Sequence, residues 1–114
     1  MRDDDKAVFV YTTWPSAEAA AACGRRLVET GSAACVNILP GMTSIYRWQG
    51  VVESATEAVM IIKTLEGAVG AVEAIVRDVH EAEVPAFVVM PLSGGSRAFL
   101  DWIAENSSRN QRAT

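Results

Sequence analysis

The sequence predicts an α+β domain in which helices cover one face of a four-stranded antiparallel sheet. Three observations carry this. Runs rich in β-branched and aromatic residues lie at 6–13, 33–48, 51–64 and 86–92. Runs with apolar residues at three- and four-residue spacing separate the first of these from the second, and the third from the fourth. The second and third are joined by a tight reversal at Trp48-Gln49-Gly50. The order is therefore β-α-β-β-α-β with a terminal helix. That is the split βαβ pattern of a ferredoxin-like βαββαβ sandwich, here with a long β-hairpin and a C-terminal helix.

Each element has a local reason. The first strand, 6–13, is rich in Val and aromatics and ends at Trp14-Pro15-Ser16, because proline cannot donate to a ladder. Ser16 suits an N-cap, and a helix over 17–30 follows with Ala20, Cys23 and Leu27 on one stripe. Gly31 suits the position after its last turn. A second helix is expected over 65–79, striped by Ala68, Val72, Ile75, Val76 and Val79. It stops before Val84-Pro85, since the residue preceding proline is driven to extended geometry. The last strand covers 86–92, Ser93-Gly94-Gly95-Ser96 turns the chain, and a final helix over 97–105 carries Phe99, Trp102 and Ile103.

The hairpin is the unusual part. At about 3.3 Å per residue, each arm spans on the order of 45 Å. A domain of about 100 residues has a radius of gyration of roughly 13 Å. The hairpin must therefore bend at Pro40-Gly41 or project from its own subunit, and a projecting hairpin implies assembly. Pro40-Gly41 reads as a bulge or bend within one strand.

The 114 residues fit one domain, expected over 7–105, with flexible ends at 1–6 and 106–114. A net charge of −4 gives no electrostatic basis for broad nucleic-acid or anionic-membrane binding. The apolar runs are far shorter than the ~20 residues of a membrane span. The charged start, with no cleavable leader pattern, and two cysteines expected as free thiols point to the cytoplasm.

Candidate chemistry is sparse. The single histidine lies in His80-Glu81-Ala82-Glu83, where the second helix should stop. His80 and Glu83 share a face if helical geometry persists, and imidazole with carboxylate suits a divalent transition metal. The alternative is an imidazole at a helix C-terminus, favoured by the macrodipole, beside solvated glutamates. Cys35 is either a soft metal ligand or a small buried hydrophobe. Tyr46-Arg47-Trp48 at the hairpin tip has the composition of an interface hot spot or of packing within the subunit. Lys63 is an anion contact or a lysine whose head reaches solvent. A Cys35–His80 pair is the only arrangement suggesting an enzyme, and nothing orients it. No glycine-rich phosphate loop, HExxH or G-x-S-x-G is present, so the chain is not read as an enzyme.

Several runs together resemble one family. They are Thr12-Thr13 with Pro15 and Glu18-Ala19, the stretch Ala33-Ala34-Cys35-Val36-Asn37-Ile38-Leu39-Pro40-Gly41, the run Thr43-Ser44-Ile45-Tyr46-Arg47-Trp48, Lys63-Thr64, and His80 with Glu83-Val84-Pro85. They resemble the CutA divalent-cation tolerance proteins over about residues 7 to 105. The resemblance implies a ferredoxin-like subunit in a stable homotrimer, similar in architecture to the PII signalling proteins. It also implies a link to tolerance of divalent metals, copper especially, with no obligatory cofactor and no settled reaction.

Carried over by position, Cys35, His80 and Glu83 are the implied metal ligands. Tyr46, Arg47, Trp48 and Lys63 are the implied inter-subunit cleft. The alternative is a PII-like regulatory module that binds a small anionic ligand or a partner protein at subunit clefts, through Lys63 and Arg47. The sequence departs from the family where the latter usually reads His-Pro-Tyr-Glu-Val-Pro-Glu. Here the segment is His80-Glu81-Ala82-Glu83-Val84-Pro85-Ala86, which loses an aromatic and one carboxylate and gains Glu81.

Overall fold

The computed structural model describes residues 5–107. Its elements are β1 (Ala7–Trp14), α1 (Ala17–Glu29), β2 (Cys35–Trp48), β3 (Val51–Leu65), α2 (Val69–Val79), β4 (Phe87–Pro91) and α3 (Arg97–Asn106). The four strands form one antiparallel sheet in the order β2-β3-β1-β4. β3 thus sits between β1 and β2, as the split βαβ pattern requires.

Side chains alternate along β1, so Val8, Val10, Thr12 and Trp14 are buried and the residues between them less so. The core beneath them joins Ala20, Cys23 and Leu27 of α1 to Met60 and Ile62 of β3 and to Val72 and Val76 of α2. A buried hydrogen-bond chain stitches the sheet there. Trp14 Nε1 donates to Thr12 Oγ1 at 2.8 Å, and Thr12 Oγ1 donates to the Met60 carbonyl at 2.8 Å. Gly24 marks a close approach of α1 to the sheet. A Cβ there would stand 2.7 Å from Val36 Cγ2 and 3.1 Å from the Met60 sulfur.

Ser16 caps α1 as expected, accepting from the Ala19 amide at 3.1 Å. The second helix starts later than expected. Leu65 still pairs with Ala7 in the sheet, a 3-10 turn occupies Glu66–Ala68, and α-helix begins at Val69. Leu65 and Ala68 are buried although they precede the helix, so an apolar stripe that looked continuous crosses from strand to helix. Val79, at the end of that stripe, is 40% exposed. α3 runs one residue further than expected, through Asn106, and Ser107 beyond it is buried. The remainder of the ends expected to be flexible, 1–4 and 108–114, lies outside the described residues.

The hairpin both bends and projects. Its register slips between Leu39 and Met42, placing a bulge at Pro40-Gly41, with Gly41 at φ 75°. The loop is the two residues Gln49-Gly50, at φ 52° and 82°, flanked by the closing pair Trp48–Val51. Two successive positive φ angles are what a tight I′-type hairpin loop demands. β1 pairs with β3 only from Ala58 to Leu65. Residues 42–57 beyond that point form a two-stranded ribbon paired only with itself. The chain accordingly measures 46 × 29 × 22 Å, with a radius of gyration of 14.8 Å.

Candidate functional site

β1 ends beside the C-terminus of α2, and His80 is the residue that joins them. It is the C-cap of α2, its amide donating to the Val76 carbonyl at 2.9 Å while its backbone turns extended. Its ring lies against Trp14, with centroids 4.4 Å apart. Both ring nitrogens are engaged. The Ala82 amide donates to Nδ1 at 3.0 Å, so the Nδ1 lone pair is taken up by that amide. Nε2 lies 2.8 Å from the Thr13 carbonyl, which can only accept, so Nε2 carries the proton. As held here, the imidazole offers no vacant lone pair to a metal ion.

The segment after His80 runs alongside the projecting ribbon. Between them is a groove of about 600 Å³, lined by Thr13, Tyr46, Trp48, Glu53, Glu57, His80, Ala82, Glu83, Val84, Pro85 and Ala86. It unites four of the residues singled out from sequence: His80, Glu83, Tyr46 and Trp48. It also contains two that sequence reasoning passed over, Glu53 and Glu57. Tyr46 pairs directly across the ribbon with Glu53. The Tyr46 phenol is held above its ordinary pKa, by desolvation first and then by the Glu53 and Glu57 carboxylates, with a hydrogen bond to Glu53. The lining contains three carboxylates and neither lysine nor arginine, so its field attracts cations.

The other expected site residues lie elsewhere. Cys35 sits opposite Lys63, which in turn sits opposite Phe9. Thr13, which receives His80, is four positions further along β1, roughly 13 Å at strand spacing. Cys35 is half-buried, with its sulfur 3.7 Å from the Val36 carbonyl. One chain therefore does not bring Cys35 to His80 and Glu83. Among the described residues, no three His, Cys, Asp or Glu side chains stand together as a metal-holding group. A preformed metal centre does not fit this single chain.

Lys63 is placed by aromatics. Its ammonium lies 5.4 Å from the Phe9 ring centroid and 5.1 Å from that of Phe99, which stacks on Trp102. Arg47 reaches the Gly50 carbonyl at 3.4 Å within its own turn. Neither cation lines the groove. A larger hollow of about 710 Å³ lies between the start of β1, the end of β4 and α3. It holds none of the expected site residues, so chemistry rather than size selects the groove beside His80.

Comparison with known proteins matches these features to one group. Residues 8–106 fit the family described as CutA1 divalent ion tolerance protein. The chain is 44% identical over 98 residues to the divalent-cation tolerance protein CutA of Thermus thermophilus, covering 86% of this chain and 95% of that one. It is 40% identical over 103 residues to the chloroplastic CutA protein of Arabidopsis thaliana, covering 90% of this chain but only 56% of that one. The solved structure of the Thermus thermophilus protein superposes with a TM-score of 0.86 at 42% identity, covering 90% of this chain and 99% of that chain.

Proposed function

This chain belongs to the CutA1 divalent ion tolerance family, and on that footing we propose that it acts as a homotrimer that takes up divalent cations, copper among them, at the groove beside His80. The observation that carries this is that His80, Glu83, Glu53 and Glu57 all line one groove that contains no basic residue. Carboxylate oxygens and imidazole are divalent-cation ligands. Uptake through Nδ1 requires the Ala82 amide to let go, and uptake through Nε2 requires its proton to move to Nδ1, with loss of both the Thr13 and the Ala82 contacts. Cys35 enters only if a neighbouring subunit supplies it.

Assembly is supported by the ribbon. Ile45, Trp48, Val51 and Val52 are 74%, 50%, 59% and 59% exposed on a two-stranded extension with no third strand of its own. Exposed apolar strands of this kind call for a partner. Two free cysteines, one of them buried, suit a reducing compartment such as the cytoplasm. Among the described residues, no helix is long and apolar enough to cross a membrane.

The test is calorimetric titration with Cu(II) and Zn(II) of the intact chain, of His80→Ala and of a Glu53→Gln/Glu57→Gln/Glu83→Gln variant, with solution mass measured in parallel. The expected mass is three times the 12.2 kDa chain. Metal affinity should fall at least tenfold in both variants. Unchanged affinity in both would remove the groove as the cation site, and a monomer would remove the assembly.

A further inference from the structure

We draw no further inference here: the strongest candidate, the hollow of about 710 Å³ between the start of β1, the end of β4 and α3, is lined by Lys6 and Arg97 together with Asp5, Glu66 and Asp101, so its charge selects no ligand, and nothing in the structure shows what covers its apolar walls.

Discussion

The His80 imidazole lies against the Trp14 indole at 4.4 Å and bridges two backbone groups, the Thr13 carbonyl and the Ala82 amide. One side chain thereby ties the end of β1, the end of α2 and the wall of the groove together. Replacing it with alanine leaves both backbone groups without their partner. Thr13 is half-buried and Ala82 exposed, so water recovers part of the loss. His80→Ala should destabilise the chain by about 1–2 kcal/mol, read as a lower urea midpoint at unchanged slope. A midpoint equal to wild type would show that the bridge is not formed in solution.

Gly24 tests the packing of α1 on the sheet. Alanine is the better helix former by up to about 1 kcal/mol. The added methyl, however, meets the β-branched Val36 at 2.7 Å, and overpacking of a core costs about 1–3 kcal/mol. Gly24→Ala should therefore lower the thermal midpoint despite its helix propensity. A raised midpoint would mean that α1 stands further from β2 than described.

Cys23 gives a pH dependence. Burial among apolar groups pushes its thiol from 9.0 up to about 11, only partly opposed by the Arg26 charge. The unfolded chain then loses this proton first. Between about pH 9 and pH 11 the folded state holds more protons than the unfolded state, so stability falls as pH rises. Two pKa units correspond to about 3 kcal/mol at most, reached above pH 11. Cys23→Ala should show a flatter decline than wild type across that window in urea titrations at fixed temperature. Parallel declines would rule the thiol out as the source.

The order of elements and the hairpin were legible in the sequence because strand composition, helical spacing, caps and turn residues all agreed. Ser16, Pro40-Gly41 and Gln49-Gly50 each do locally what their chemistry requires. The start of the second helix was not legible. Leu65 still pairs in the sheet and Ala68 is buried in a 3-10 turn, although the first lay within the expected helix and the second on its apolar stripe. The final helix forms where its apolar spacing placed it, with Ile103 buried while Phe99 and Trp102 remain 40% and 41% exposed.

Within the candidate site, His80 and Glu83 were found by residue type, and Tyr46 and Trp48 by position at the tip. Glu53 was open to discovery by counting outward from the two-residue loop, because Trp48–Val51 fixes Tyr46 opposite Glu53. Glu57 lies in the same unbroken register, opposite Met42 and on the loop side of the bulge, so the same count reaches it. The separation of Cys35 from His80 depends on which end of β1 each element reaches, and no local pattern encodes that.

The ribbon has one last consequence, for amide hydrogen exchange. Residues 51–57 of β3 pair only with β2, whereas 59–63 pair with β2 on one side and β1 on the other. The same strand therefore has an inner half that opens only with the whole fold and an outer half that can fray alone. Slow exchange at those amides between Val51 and Glu57 that point away from β2 would be protection that a single subunit has no means to provide. Those amides are an internal gauge of association, readable residue by residue as the protein is diluted.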